Sequence, residues 1–181
     1  GTVVDCKVGA PGAHIAANAV GALGLVALAG GDVLNAAAAL RNFTALKGRG
    51  ARIEIKGLQL IDESYNANPA SMAAALALLG DSKGRKIAVL GDMLEMGEGG
   101  LAHHAGLAAP IEANKVDLVF AAGAQMKALW ETLPASRRGA YAETSAALAP
   151  QVVAALAPGD TVLVKGSNGS RMSLIIDALK V

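Results

Sequence analysis

The sequence predicts an α/β fold whose larger part is a mostly parallel sheet covered by helices. Two observations carry this. From residue 51 onward, short apolar runs of strand length alternate with helix-length segments, the pattern of parallel strands joined by crossover helices. The 181 residues are also 53% hydrophobic and only 17% charged, with a net charge of +1, which excludes a disordered chain. There are 40 Ala and 22 Gly, so Leu, Ile and Val must build the core while the small residues let helices approach closely. Sixteen basic residues against 15 acidic ones leave no field for a polyanion, which argues against a nucleic-acid partner.

Residues 1–10 read as extended, with Val3, Val4 and Val8 as apolar positions and Pro11-Gly12 as a turn. Ile15, Val20, Leu23 and Val26 recur at helical spacing and predict a helix over 14–28, stopped at Gly30-Gly31. Asp32 is a candidate N-cap for a second short helix reaching about 43. The run between Lys7 and Asp32 carries no Asp, Glu, Lys or Arg, and a bilayer needs roughly 20 apolar residues. Pro11, His14 and Asn18 interrupt it and Ala and Gly dominate it, so a helix packed inside a domain is expected instead of a membrane span. Two helices alone hold too little core to be stable, so they are expected to end a larger domain. The segment Lys47-Gly48-Arg49-Gly50 reads as a linker, with domains 1–47 and 48–181 on either side. Cys6 has no partner Cys, which suits a reducing compartment. A start without Met or a signal pattern reads as a piece of a longer protein.

Beyond the linker, 52–55 and 58–62 are two strands joined at Lys56-Gly57 as a hairpin. Helices are predicted over 71–79, 101–114, 125–133, 144–156 (capped by Thr144) and 171–179. Strands are predicted over 86–90, 116–121, weakly near 140–142, and over 161–165. Right-handed crossovers between such strands give a Rossmann-like domain with the antiparallel hairpin at one edge.

Ligands of open α/β sheets bind beyond the carboxyl ends of the strands, so the loops there are the candidates. Residues 62–69, Asp-Glu-Ser-Tyr-Asn-Ala-Asn-Pro, offer Asp62 for a ribose diol, Tyr65 for stacking, and Asn66 and Asn68 for amides or phosphates. A turn leading into a helix explains the same residues equally well. Residues 165–171, Lys-Gly-Ser-Asn-Gly-Ser-Arg, have the chemistry of an anion cradle: turns at Gly166 and Gly169, a following helix start, and charge from Lys165 and Arg171. The alternative is a Gly-rich loop whose Lys points to water. Asp92 and Glu95 could bind a metal or an amine, or Asp92 could cap the next turn. His103 and His104 face different sides of a helix and make a poor metal pair, so both are expected to be exposed. Neither G-x-x-x-x-G-K-[ST] nor G-x-G-x-x-G occurs.

Five segments in order resemble one family. They are Pro-Gly-Ala-His-Ile-Ala-Ala-Asn-Ala-Val-Gly-Ala-Leu (11–23), Lys-Gly-Arg-Gly (47–50), Leu-Ile-Asp-Glu-Ser-Tyr-Asn-Ala-Asn-Pro-Ala-Ser-Met (60–72), Ala-Val-Leu-Gly-Asp-Met-Leu-Glu-Met-Gly (88–97) and Val-Leu-Val-Lys-Gly-Ser-Asn-Gly-Ser-Arg-Met (162–172). They are similar to the ATP-dependent Mur ligases of bacterial cell-wall synthesis, and within these to the branch that adds D-Ala-D-Ala. The resemblance implies that 1–47 ends a central ATP-binding domain and that 48–181 is the C-terminal domain. It implies an ADP-forming ligase that joins D-Ala-D-Ala to UDP-N-acetylmuramoyl-tripeptide through an acyl-phosphate, in a monomeric bacterial cytoplasmic enzyme. It further implies ATP contacts from His14, Asn18, Arg49, Asp62, Tyr65, Asn66 and Asn68. Lys165, Gly166, Ser167, Asn168 and Ser170 are then candidates for the dipeptide. Mg²⁺, the P-loop and the catalytic residues would belong to the central domain upstream, leaving these 181 residues inactive alone. Ile15 stands where the family commonly has Asn, and Glu63 where Asp is frequent. The residues by themselves also allow a non-catalytic nucleotide- or anion-binding α/β module.

Overall fold

The computed structural model describes residues 3–10, 12–44 and 48–181, without the side chain of His14. The expected turn at Pro11 and the first residue of the linker, Lys47, therefore lie outside the described residues. The chain divides into two units, 1–46 and 47–181.

In the first unit, residues 3–8 join no strand among the described residues. Helix α1 spans Ala13–Leu28 and α2 spans Val33–Ala39, followed by a single 3₁₀ turn at Leu40–Asn42. Asp32 caps α2, accepting the Asn35 N–H at 3.0 Å. Helix α1 buries Ile15 and Ala19 but exposes Val20, Leu25 and Leu28, because one short partner helix cannot cover more than a stripe. No helix among the described residues is long and apolar enough to cross a membrane.

The second unit is a six-stranded sheet in the order β1-β2-β6-β3-β4-β5. The strands are β1 Ala51–Ile55, β2 Leu58–Glu63, β3 Lys86–Gly91, β4 Leu118–Ala122, β5 Arg138–Ala142 and β6 Thr161–Lys165. Only β1 and β2 pair antiparallel, at the edge, where Lys56 and Gly57 make the left-handed turn. The other pairs are parallel. The helices are α3 Pro69–Gly80, α4 Gly100–Ala105, α5 Ala108–Ala113, α6 Met126–Thr132, α7 Ser145–Ala155 and α8 Ser173–Lys180.

Two-residue alternation sorts the strands onto two cores. Ile61, Ala88, Leu90, Val119, Ala121 and Leu163 face Met72, Leu76, Leu79, Ile111, Met126 and Leu129 from α3, α5 and α6. Leu60, Ile87, Val89, Phe120, Val162 and Val164 face Leu148, Val152, Ile175, Ile176 and Leu179 from α7 and α8. Both faces are therefore covered, which explains why the central strands read as unbroken apolar runs.

The single helix expected over 101–114 is two. The turn at Gly106-Leu107 breaks it, because Pro110 has no N–H to offer Gly106 and its ring crowds that carbonyl. The last helix starts at Ser173, two residues later than expected, because Arg171 adopts a left-handed conformation.

The amino edge of the sheet is stapled by a buried carboxylate. Arg85 Nε and Nη2 donate to Asp160 Oδ1 and Oδ2 at 3.0 and 2.8 Å, and the Ala157 N–H donates to Oδ2 at 2.8 Å. Burial pushes the Asp160 carboxyl upward, but these hydrogen bonds outweigh it and hold the group below its ordinary value. A lowered carboxyl stabilises the fold above its unfolded pKa of about 4, and that contribution is lost as pH falls through the lower folded value. Asp160→Asn is expected to lower stability at pH 7 by about 1–3 kcal/mol and to flatten the acid-side decline. Urea unfolding at pH 7 and pH 3 checks this; an unchanged pH slope would contradict it.

Candidate functional site

Three loops meet at the carboxyl ends of β2, β6 and β3. The first follows β2 and is clasped by the segment before β1. The buried Asp62 carboxylate accepts the Gly48 N–H at 3.0 Å, the Ser64 N–H at 3.1 Å and the Ser64 hydroxyl at 2.7 Å. The Tyr65 N–H donates in turn to the Gly48 carbonyl at 3.1 Å. Gly48 has φ +76°, and an added Cβ would come within 2.9 Å of Tyr65 Cβ, so the clasp needs Gly there. Its outcome is an exposed platform: the Arg49 guanidinium stands 4.3 Å from the centroid of the Tyr65 ring, which is 48% exposed.

The second loop follows β6. Lys165 ends this interior strand and is 1% exposed. Its ammonium donates to the Asn66 carbonyl at 2.8 Å and to Glu63 Oε2 at 3.3 Å. Burial pushes the ammonium below the usual lysine range, opposed by the Glu63 carboxylate. The reading of Lys165 as a lysine pointing to water is thus corrected. Ser167 donates its N–H to the Asp92 carbonyl at 3.0 Å, its hydroxyl accepts the Leu94 N–H at 2.9 Å, and it approaches the Ala67 carbonyl at 3.4 Å.

The third loop follows β3. Asp92 caps a helix, but not the next turn along the chain. It accepts the N–H groups of Met126 at 2.8 Å and Gln125 at 3.3 Å, at the start of α6. The expected exposure of both histidines is corrected for His104, which is fully buried, while His103 is exposed. The Met93 N–H donates to His104 Nε2 at 2.9 Å, so that nitrogen is bare and Nδ1 carries the proton toward the Gly100 carbonyl at 2.6 Å. His104 therefore fastens the 92–100 loop from beneath. No sequence period marks this, since its partners are backbone groups.

A cleft of about 330 Å³ opens at this edge between the ends of β3, β4 and β5 and the start of α7. Asp92, Glu143 and Arg171 bring charge to it, Thr144, Ser145 and Ser170 hydroxyls, and Ala122, Ala146 and Leu174 apolar walls. Thr144 caps α7 through the Ala147 N–H at 3.2 Å, and Ser145 Oγ donates to the Arg171 carbonyl at 3.0 Å. Arg171 was expected in an anion cradle with Lys165, whereas Glu143 and this helix start were not among the candidates drawn from the sequence, because β5 is short and irregular there. A groove of about 390 Å³ at the opposite edge includes Arg52, Lys83, Gly84 and Thr161.

The structure brings together some expected residues and separates others. Arg49, Asp62, Tyr65 and Asn66 lie on one clasp. In this conformation Asp62 is turned into the chain, so a ribose could reach its carboxylate only if the clasp opened. Asn68 is committed as the N-cap of α3, accepting the Ser71 N–H at 2.8 Å. Asn18 is exposed on α1, and the His14 side chain lies outside the described residues. Gly166 and Ser167 are buried, whereas Asn168 is exposed and Ser170 half-buried near the cleft. Glu95 is exposed with φ +63°. Among the described residues, no group of three or more His, Cys, Asp or Glu could hold a metal ion.

An α/β sheet with a polar cleft and a cation–ring platform at its carboxyl edge is a ligand-handling domain. Comparison with known proteins makes this specific. The family "Mur ligase, glutamate ligase domain" matches residues 48–168, and the chain belongs to the Mur ligase family. It is 34% identical, over 98% of its length, to UDP-N-acetylmuramoyl-tripeptide–D-alanyl-D-alanine ligase of Escherichia coli (strain K12). It spans 39% of that relative, about two fifths. Among solved structures it is similar to MurF from Acinetobacter baumannii, with TM-score 0.84 and 27% identity over 97% of this chain and 39% of that one. MurF ligase from Thermotoga maritima, solved in complex with ADP, shares the fold, with TM-score 0.71 and 23% identity over 87% of this chain and 36% of that one.

Gly123, at the end of β4, has φ +117°, and an added Cβ would collide with the Asp92 carboxylate. Gly123→Ala is expected to push Asp92 off the start of α6 and lower stability by about 1–3 kcal/mol. A urea midpoint equal to that of the parent chain would contradict this role for Asp92.

Proposed function

We propose that this chain is the C-terminal portion of an ATP-dependent, ADP-forming ligase that adds D-Ala-D-Ala to UDP-N-acetylmuramoyl-tripeptide. Residues 1–47 would end its central ATP-binding domain and 48–181 would form its C-terminal domain. The observation that carries the reading is the E. coli relative of that name, matched along 98% of this chain. The cleft fits the dipeptide's chemistry. A small zwitterion with two methyl groups suits a site that sets Asp92 and Glu143 near Arg171 between alanine and leucine walls.

In this reading ATP activates the tripeptide carboxyl as an acyl-phosphate. The dipeptide amine attacks that carbonyl, the C–N bond forms, phosphate leaves with the C–O electrons, and the amine gives up a proton. The part of this chain is to hold the amine in place and close the site to water. Arg49 and Tyr65 would contact the nucleotide, as would His14 and Asn18 from the other unit. Mg²⁺ would be held mainly by the central domain upstream. Bacterial cytoplasm is the compartment where such precursors are joined.

The test is ligation by the whole gene product with ATP, UDP-N-acetylmuramoyl-tripeptide and D-Ala-D-Ala, with D-Ala alone as control. Dipeptide-dependent ADP release and a new amide are expected, with none from the 181 residues alone. Failure of the whole product to ligate would favour a non-catalytic binding module, and ligation by the 181 residues alone would overturn the assignment of catalysis to the upstream domain.

A further inference from the structure

Lys165 and Ser167 sit two residues apart on the loop that leaves the interior strand β6, yet their side-chain partners lie about a hundred positions earlier. Lys165 Nζ donates to the Asn66 carbonyl at 2.8 Å, and Ser167 Oγ approaches the Ala67 carbonyl at 3.4 Å. Two consecutive carbonyls of the segment 64–68 thus point at the end of β6. Within the same segment the Tyr65 N–H donates to the Gly48 carbonyl at 3.1 Å, and the other ties are local. Ser64 bonds to Asp62, Ala67 to the neighbouring Asn66 side chain, and Asn68 to Ser71, all within three residues. Ser167 also takes the Leu94 N–H and gives its own to Asp92, so the same residue reaches the loop after β3.

We infer that Lys165 and Ser167 are positioning residues: from beneath, they fix the backbone of residues 64–68 so that Tyr65 faces outward under Arg49. Lys165 is 1% exposed and is not among the residues that line the cleft. A buried ammonium must keep its acceptors, since losing them leaves a desolvated charge. The Asn66 carbonyl is held inward for that reason, and the outward course of the flanking residues follows from it. The kinetic half of this inference rests on the ligase reading above; the structural half does not.

Two variants test it, Lys165→Met and Ser167→Ala. Hydrogen exchange of the 181-residue chain reads the structural half without any ligand. Exchange at the Tyr65 N–H is expected to quicken about tenfold in each variant, with β3 and β4 unchanged. Ser167→Ala removes a single oxygen and keeps the test decisive if Lys165→Met does not fold. Unchanged exchange at residue 65 in a folded variant would overturn the inference. In the whole ligase, Lys165→Met is expected to raise KM for ATP about tenfold and that for D-Ala-D-Ala less than about twofold. A rise in the dipeptide KM alone would overturn the inference and make Lys165 a substrate ligand. Faster exchange with both KM values unchanged would uphold the positioning role and overturn the nucleotide contact of Tyr65.

Discussion

The ammonium of Lys165 is the constraint around which the carboxyl edge is built. The strand β6 lies between β2 and β3, so the side chain at its end has no lateral route to water. Burying such a charge costs several kcal/mol unless acceptors surround it. Glu63 on the neighbouring strand supplies one and the Asn66 carbonyl another. The chain leaving β2 must therefore turn back over β6 before it enters α3. Asp62 completes that turn by gripping Gly48 and Ser64, and the turn in turn displays Tyr65 and Arg49. The exposed features of this edge are the outer side of an arrangement set by an inward-facing charge.

Much of the fold was legible because its causes are local. Asp32 and Thr144 cap helices through N–H groups three residues on, a spacing visible in the chain itself. The strands 86–90 and 161–165 stand out because burial on both faces demands unbroken apolar runs. Pro110 was a legible break in the helix that the periodicity ran together. The weak strand near 140 was underestimated because β5 carries Arg138 and Gly139 at the sheet edge, where only one neighbour constrains composition.

The candidate site was less legible, and the particular residues show why. Lys165 and Arg171 looked alike as charges in a Gly-rich loop, yet one is buried and the other exposed. The difference is set by strand order, which no local window contains. Asn68 could be read as ligand or cap, and it caps. Asp92 could be read as a metal or amine ligand or as a cap for its own turn, but the helix it caps begins more than thirty residues later. His104 is buried among backbone partners that no residue pattern advertises. Family resemblance recovered the loops as a set, but did not sort the side chains that face a ligand from those that hold the loops.

The ligase reading puts the dipeptide in the cleft at the carboxyl edge of this sheet. Amide ¹⁵N–¹H spectra of the 181-residue chain during titration with D-Ala-D-Ala test it most directly. The expected result is shifts at Gly123, Ser145, Ala146 and Arg171, around the cleft. Shifts confined to Arg52, Lys83 and Gly84 at the opposite edge, or none at the carboxyl edge when the dipeptide is in large excess, would contradict it.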